Sequence, residues 1–229
     1  MSSQGPKQTV FACLAEIARA LGHGHRLELL ELLGQGERSV EDLAQRTGLS
    51  FANTSRHLQI LRRVRLIEPR REGKRMLYSL AGDDQIVPLL QALGRVGERN
   101  AAEIERVMAS YFRARDTMEP VSREDLLARM QDGSVAVLDL RPEDEFALGH
   151  VSGARNVQLA ALERHLADLP SDQEIVAYCR GPYCVLSFEA VAILRASGFR
   201  VRRLEDGYPE WKAAGLPVAF APAAVGIKS

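Results

Sequence analysis

Residues 47–61, TGLSFANTSRHLQIL, decide the fold of the first half of the chain. The first four residues form a predicted tight turn, and Ser50 is a residue type that caps the first turn of a helix. Leu58 and Leu61 share the core face of that helix because they lie three residues apart. A shorter helix, Val40 to Arg46, opens at Ser39 and precedes the turn. Two short helices joined by such a turn predict a helix-turn-helix.

A charged β-hairpin is predicted directly after this motif. Leu66 to Ile67 and Met76 to Leu80 are apolar runs on either side of a charged tip that contains Gly73. Between Ser50 and Arg75 the chain has eight basic and two acidic residues, a net charge of +6. A solvated basic face would explain the charge alone, but the order of turn, helix and basic hairpin favours DNA phosphates as the partner.

Three more helices are predicted around the motif, namely Val10–Leu21, Arg26–Leu33 and a long helix from Asp84 to about Arg115. Cys13 occupies an apolar position of the first helix, so we expect it to be buried. His23 and His25 are interpreted as a turn before the second helix. Their spacing does not place both on one helix face, and no neighbouring Cys or carboxylate cluster completes a metal site.

Composition supports two domains in the cytoplasm. The chain has 229 residues, 30 basic and 30 acidic residues and three cysteines. This length favours two domains, and three cysteines exclude a disulfide scaffold and favour a reducing compartment. No segment predicts a signal peptide or a membrane span. The zero net charge is the sum of +4 in residues 1–118 and −4 in residues 119–229.

The second half alternates short apolar runs with helical segments, which is typical of β/α units around a parallel sheet. Ser134–Leu140 and Ile175–Tyr178 are its clearest strands, and Val185–Ala196 is a helix. Residues 179–184, CRGPYC, lie between the second strand and that helix. Ligands gather at the carboxyl ends of parallel strands, and the amide groups and dipole of a following helix lower the pKa of a thiol placed there. Two incidental cysteines in a turn would be the weaker interpretation.

The first half resembles the winged helix-turn-helix of ArsR/SmtB-type repressors over roughly residues 10–100, on the strength of residues 49–61, Leu66-Ile67 and residues 71–74, REGK. The resemblance implies a homodimer whose first and last helices form the interface. It implies that Ser55, Arg56 and Gln59 face the major groove. Basic residues beside them are expected to contact DNA as well, namely Arg62, Arg63, Arg70, Arg71, Lys74 and Arg75. His57 is interpreted as packed or contacting phosphate.

This half departs from the sensors of that family. Many of its metal sensors have two cysteines in the third helix, and the stretch Arg38–Leu43 has none. The dithiol that thiol-sensing members place on the second and last helices is also unmatched. We therefore expect the sensory group to lie in the second half.

The second half resembles a single rhodanese domain over roughly residues 120–219. The matching segments are residues 139–141 (DLR), 145–154 (EFALGHVSGA), 178–181 (YCRG) and 207–212 (GYPEWK). By this resemblance Cys179 is the nucleophile that accepts sulfane sulfur as a persulfide. Arg180, Gly181 and Tyr183 would line the sulfur, and Asp139 and Arg141 would support the loop. His150 and Trp211 are interpreted as structural.

The loop differs from the usual sulfurtransferase pattern at two positions. Pro182 has no N–H to donate, and Cys184 stands where Arg or another polar residue is common. A persulfide on Cys179 could be attacked by Cys184 to give a disulfide, or sulfur could bridge the two. The pair could alternatively hold a soft ion such as arsenite.

Together these observations predict a mainly α winged helix-turn-helix followed by an α/β rhodanese-like domain with a parallel sheet. We expect a DNA-binding and dimerisation domain at residues 1–116, a linker at 117–119, the rhodanese-like domain at 120–220 and a flexible tail at 221–229. The leading hypothesis is a transcriptional repressor that binds operator DNA and senses reactive sulfur through Cys179, Cys184 and Arg180, with no cofactor or metal. The alternatives are a sulfurtransferase with an attached DNA-binding domain and an arsenite- or heavy-metal-responsive repressor. Whether sulfur transfer is catalytic or stoichiometric stays open.

Overall fold

A computed structural model describes residues 5–113 and 118–220, and the chain divides into two compact units between Ile86 and Val87. The predicted tail at 221–229, the predicted helix end at Arg115 and part of the predicted linker lie outside the described residues. The predicted domain boundaries stay a prediction.

The first unit is a winged helix-turn-helix. Its elements are α1 (Pro6–Leu21), α2 (Gly24–Gly34), β1 (Arg38–Ser39), α3 (Val40–Thr47), α4 (Phe51–Arg63), β2 (Ile67–Glu72) and β3 (Arg75–Leu80). Both predicted caps are confirmed: Ser39 Oγ accepts from the amide of Asp42, and Ser50 Oγ accepts from the amide of Asn53, each at 3.3 Å. Gly48 ends α3 with φ of 68°, a conformation that glycine adopts without a Cβ penalty.

A small antiparallel sheet and a leucine core hold this unit together. Its strand order is β1-β3-β2, and Arg38 pairs with Tyr78. The predicted hairpin is confirmed, whereas β1 was missed because two residues are too few for a periodic pattern. Fully buried leucines from α2, α3 and α4 pack in the interior, namely Leu29, Leu30, Leu43, Leu58 and Leu61.

The prediction for Cys13 is wrong, because its side chain is exposed. On the same helix, Val10, Phe11 and Leu14 are between 53% and 58% exposed. The apolar pattern of α1 therefore marks a face that the described residues of this chain leave uncovered.

The single long helix predicted after the wing is also wrong. The structure has α5 (Asp83–Asn100), α6 (Ala102–Val107) and a π-helical segment, Met108–Arg113. Ala101 separates the first two with an extended backbone, φ −108° and ψ 104°. Asn100 contributes to the break because its side-chain amide donates to the carbonyl of Val96 at 2.8 Å, the local competition that makes Asn a poor helix former.

The rest of the second unit is a parallel sheet with helices on both faces. Its elements are α7 (Arg123–Gln131), β4 (Val135–Asp139), α8 (Glu143–Ala147), β5 (His150–Val151), β6 (Arg155–Asn156), a 3-10 helix (Leu159–Asp168), β7 (Glu174–Tyr178), α9 (Val185–Ala196), β8 (Val201–Arg203), α10 (Tyr208–Ala213) and β9 (Val218–Ala219). The sheet order is β6-β4-β7-β8.

The register of this sheet fixes where its loops meet. Asp139 at the end of β4 pairs with Tyr178 at the end of β7, so both strands finish at one edge. One sheet face packs on α9 through residues such as Val191 and Leu194. The opposite face packs on α7 and α10 through residues such as Leu126 and Trp211. The segment after β7 therefore lies at the carboxyl edge of a rigid sheet.

Candidate DNA-binding surface and cysteine loop

Helix α4 separates a buried face from a polar one. Thr54, Leu58 and Leu61 are completely buried. Five residues that were predicted to contact DNA lie together on the other side, four of them exposed and Ser55 half-buried: Ser55, Arg56, Gln59, Arg62 and Arg63. Phe51, in the first turn of α4, is 56% exposed, and sequence reasoning gave it no role.

The wing exposes its basic side chains, but carboxylates offset the charge of one of them, Arg70. Arg70 donates to both carboxylate oxygens of Glu37, at 2.9 and 2.5 Å, and to Glu72 at 3.2 Å. These bonds raise the pKa of the Arg70 guanidinium, so it stays protonated. The two carboxylates offset its positive charge locally. Arg71, Lys74 and Arg75 are exposed around the hairpin tip, where Gly73 has φ of 59°. Sequence reasoning missed Glu37 because it lies 33 residues from Arg70.

Three imidazoles cluster between α2 and α4. The ring centroid of His57 lies 4.6 Å from that of His23 and 6.0 Å from that of His25. Burial, followed by the nearby charges of His23 and Arg26, lowers the pKa of His57. Within residues 5–113 and 118–220, no group of three or more His, Cys, Asp or Glu side chains is arranged to hold a metal ion.

The predicted loop between β7 and α9 brings its two cysteines together. Cys179 and Cys184 are bonded as a disulfide, with a Cα–Cα distance of 6.2 Å. Cys179 is 2% exposed, directly after β7, whereas Cys184 is half-buried and is the N-cap residue of α9. The loop turns tightly, since the Cys184 amide donates to the carbonyl of Gly181 at 3.1 Å.

The segment before α10 forms the floor of this loop. The Tyr208 amide donates to the carbonyl of Cys179 at 3.1 Å. A Cβ on Gly207 would overlap backbone atoms of Arg180 and Gly181, so only glycine allows this close approach. Sequence reasoning used residues 207–212 to identify the resemblance but gave no role to Gly207 or Tyr208.

Arg180 is turned toward a buried carboxylate. Its Nε lies 3.0 and 2.9 Å from the two oxygens of Glu145, and its Nη2 lies 2.6 Å from Oε1. The side chain of Glu145 is 0% exposed and that of Arg180 is 27% exposed. Arg180 is therefore the counter-ion of Glu145, and sequence reasoning did not identify this partner.

Asp139 and Arg141 form a second ion pair under the same edge. Arg141 donates to Asp139 at 2.6 Å, and both side chains are completely buried. The Arg141 guanidinium lies 4.0 Å from the ring centroid of Tyr208, whose amide binds Cys179. The pair is thus joined to the loop by a cation–π contact with Tyr208, and its predicted role in supporting the loop stays a prediction.

Residues 179–184, the cysteine loop, also contact α5 within the second unit. The hydroxyl of Tyr183 donates to Glu98 Oε1 at 2.6 Å, and burial and Glu98 together raise the pKa of Tyr183. Elsewhere on the helix, Gln91 donates to Asp206 at 2.9 Å.

None of the helices in the described ranges is long and apolar enough to cross a membrane.

Comparison with known proteins identifies both halves. Bacterial regulatory proteins of the arsR family match residues 23–68, and the rhodanese-like domain matches residues 122–214. The chain is 42% identical over 205 residues to the HTH-type transcriptional regulator Rv0324 of Mycobacterium tuberculosis, covering 90% of this chain and 89% of that protein.

Two further similarities each cover one part of the chain. A sulfurtransferase of Allochromatium vinosum is 30% identical over 100 residues, which are 43% of this chain and 92% of that protein. Among solved structures, the homodimeric winged helix-turn-helix DNA-binding domain of Mb0332 from Mycobacterium bovis is 36% identical, with a TM-score of 0.40. That match covers 45% of this chain and 95% of that one.

Proposed function

The chain belongs to the arsR family of bacterial transcriptional regulators and carries a rhodanese-like domain, and from this premise we propose that reactive sulfur controls it through Cys179 and Cys184. The predicted two-domain fold is confirmed by both family matches. The observation that carries the proposal is the bonded cysteine pair at the carboxyl edge of the sheet.

For DNA binding we assign different roles to the helix and the wing. Ser55, Arg56 and Gln59 on the polar face of α4 would reach base edges in the major groove. The remaining predicted cations would contact phosphates, namely Arg62, Arg63, Arg70, Arg71, Lys74 and Arg75. Of these, Arg70 would contribute least because Glu37 and Glu72 already neutralise it.

The operator-binding species would be a homodimer. Helix α1 exposes Val10, Phe11 and Leu14, and α5 exposes Leu89, Leu93 and Val96. Exposed apolar patches of this kind mark protein–protein interfaces. A second copy of this chain would cover both faces. They belong to α1 and α5, which are the first and last helices of the DNA-binding motif.

The proposed chemistry needs one sulfane-sulfur donor, such as a hydropersulfide R–S–SH. The Cys179 thiolate attacks the outer sulfur of the donor, so a Cys179 persulfide forms and RS⁻ leaves. The Cys184 thiolate then attacks the Cys179 sulfur and expels HS⁻, leaving the disulfide. Two thiols are oxidised and the transferred sulfur is reduced to sulfide. A bridge that retains an extra sulfur consumes a second molecule of donor.

Intact-protein mass spectrometry after polysulfide treatment, combined with an operator-binding assay, tests this proposal. We expect the native protein, reduced before treatment, to lose two hydrogens and to change its operator affinity. Cys184→Ser should gain one sulfur, because the persulfide can no longer be resolved. Cys179→Ser should bind the operator normally but should not respond, and Cys13→Ser should behave like the native protein. A Cys179→Ser variant that still responds to polysulfide would refute the proposal, and bound arsenic after arsenite treatment would favour the arsenite alternative.

A working sulfurtransferase is the second candidate, favoured by the 30% identity to the Allochromatium vinosum enzyme. Two features of the loop argue for a stoichiometric sensor instead. Pro182 has no N–H for an anionic donor, and Glu145 holds the guanidinium of Arg180. Rapid multiple turnover with thiosulfate in the absence of DNA would favour the enzyme, whereas a single sulfur transferred per chain would favour the sensor.

A further inference from the structure

We propose that Tyr183, Gly94 and Glu98 form a latch that transmits the state of the cysteine pair to α5. This inference rests on the proposed sulfur chemistry and names the residues that would report it. Bridging of Cys179 to Cys184 would keep the Tyr183 hydroxyl on Glu98, and an open or persulfidated loop would release it.

The first support for the latch is the position of Tyr183. It directly precedes Cys184 and is enclosed by the bridge between the two cysteines. Its hydroxyl donates to Glu98 Oε1 at 2.6 Å, a charge-assisted hydrogen bond across 85 residues of sequence. Because the bridge fixes both ends of a short loop, opening it changes the conformations available to Tyr183 directly.

The second support is a glycine on α5. A Cβ at Gly94 would come within 2.6 Å of the Tyr183 hydroxyl, so the absent side chain makes room for the phenol. Gly94 and Glu98 lie four residues apart and therefore occupy the same face of the helix. Gly94, which makes room for the phenol, and Glu98, which accepts its hydrogen bond, thus lie on adjacent turns of α5.

A third contact ties the same helix face to the floor of the loop. Gln91 donates to Asp206 at 2.9 Å, and Arg123 holds the other oxygen of Asp206 at 2.9 Å. Asp206 directly precedes Gly207, which packs against the backbone of Arg180 and Gly181. The face of α5 that carries Gln91, Gly94 and Glu98 therefore meets both sides of the cysteine loop.

The opposite face of α5 carries Leu89, Leu93 and Val96, between 39% and 50% exposed. At 3.6 residues per turn these three residues lie about half a turn from Gln91, Gly94 and Glu98. The helix also begins at Asp83, within the first unit. One rigid element thus has the cysteine loop on one side and the proposed dimer interface on the other, so a shift of α5 would change both.

Tyr183→Phe tests the latch because it removes only the hydroxyl. The matched control is Tyr111→Phe, since Tyr111 donates to Glu189 at 3.3 Å in the same unit but outside the loop. Polysulfide should bridge the cysteines in both variants, as judged by mass spectrometry. Allosteric coupling is commonly about 5- to 150-fold, and we expect the change in operator affinity to fall to about twofold or less in Tyr183→Phe only.

Linkage supplies a second readout that does not depend on the inducer response. Coupling between two sites is reciprocal, so operator DNA should shift the redox equilibrium of the cysteine pair in the native protein. Glu98→Ala and Tyr183→Phe should both abolish that shift. A normal response in both variants overturns the latch while leaving sulfur sensing intact. A response that survives in Cys179→Ser overturns the proposed function itself.

Discussion

Gly207 shows how a single residue can set the geometry of the loop that carries Cys179 and Cys184. Its missing Cβ allows α10 to approach the backbone of Arg180 and Gly181. That approach brings the Tyr208 amide to the carbonyl of Cys179. The backbone of Cys179 is therefore positioned with the help of a residue that has no side chain and lies 28 positions away along the chain.

Gly207→Ala is expected to destabilise the second unit. Overpacking against a backbone that cannot move aside costs about 1 to 3 kcal/mol, and here it should also separate Cys179 from Cys184. Urea denaturation and the yield of the bridged form after polysulfide treatment measure the two effects. Gly24→Ala is the matched control because a Cβ there meets nothing within 4 Å. An alanine at position 207 that leaves both measurements unchanged would contradict this role.

At the residue scale, the position of Cys179 between a strand and a helix was predicted because it depends on neighbours in sequence. The contacts that surround it were not predictable. Glu145 is 35 residues from Arg180 and Glu98 is 85 residues from Tyr183, and no sequence period connects such pairs. Cys13 was misjudged because an apolar position does not tell whether its cover comes from this chain or from another.

The elements proposed to contact DNA differ in how much of their charge is available. The wing arginines Arg70 and Arg71 are adjacent in sequence, yet only Arg70 is held by two carboxylates. Arg71 donates to the carbonyl of Gly73 at 3.1 Å, which leaves its positive charge uncompensated by that bond. Counting basic residues therefore overstates the charge that the wing offers to phosphates.

Arg71→Ala and Arg70→Ala form a matched pair that tests this difference. A residue that contacts one phosphate contributes about one unit to the slope of log Kd against log salt concentration. We expect Arg71→Ala to lower that slope by about one unit and Arg70→Ala to change it less. Fluorescence anisotropy with operator DNA at several salt concentrations measures both slopes. Equal slopes for the two variants would show that the Glu37 ion pair does not persist on DNA.

The lowered pKa of His57 predicts that the stability of the first unit depends on pH. His57 faces His23, His25, Arg26 and Arg56, and its pKa lies below the ordinary value of 6.5. His25 in turn contacts Glu28 at 3.4 Å. In the window between the lowered pKa and 6.5 the unfolded chain binds more protons than the native one, so stability rises with pH there.

Lowering the pH from about 7.5 to about 5.5 should therefore reduce the free energy of unfolding of the first unit. Carboxylates stay ionised over this range. His57→Gln should reduce this dependence, since it removes the titrating group. Thermal denaturation across that range measures the effect. His165→Gln is the control, because His165 is exposed and lies in the second unit. An unchanged pH dependence in His57→Gln would exclude this residue as its source.

Local signals explain which elements were predicted and which were not. Ser39 and Ser50 cap their helices as expected, because capping involves residues three apart in sequence. The break at Ala101 was missed, since the apolar spacing of Leu93, Val96 and Ile104 continues across it. The weak helix formers Gly97 and Asn100 were the available signal.

At the scale of the whole molecule, the chain joins a DNA-binding unit to a thiol-bearing one, and α5 belongs by sequence to both. Neutral overall charge hides this organisation, because the two halves have opposite charge. The two folds were recognised from the sequence because each has its own periodicity. The latch proposed for α5 was not predictable, because it depends on which residues α5 presents to the cysteine loop.

Leu93→Glu should convert the proposed dimer into a monomer. A charge at the centre of the exposed apolar face of α5 would have to be buried without a partner on dimerisation. We expect light scattering to report a monomer and operator affinity to be lost. Leu148→Glu is the control, as Leu148 is similarly exposed, at 41%, but directly follows α8 and does not lie on α5. A dimeric Leu93→Glu protein would place the interface elsewhere.

The unequal burial of the two cysteines has a consequence for how long the proposed response would last. Cys179 is 2% exposed and Cys184 is half-buried, so a cellular thiol reaches the bridge from the side of Cys184. Once formed, the bridge no longer needs the donor that produced it. The loop would therefore stay bridged after a brief exposure to the sulfur donor. The supply of reducing thiols would set how long the bridge lasts.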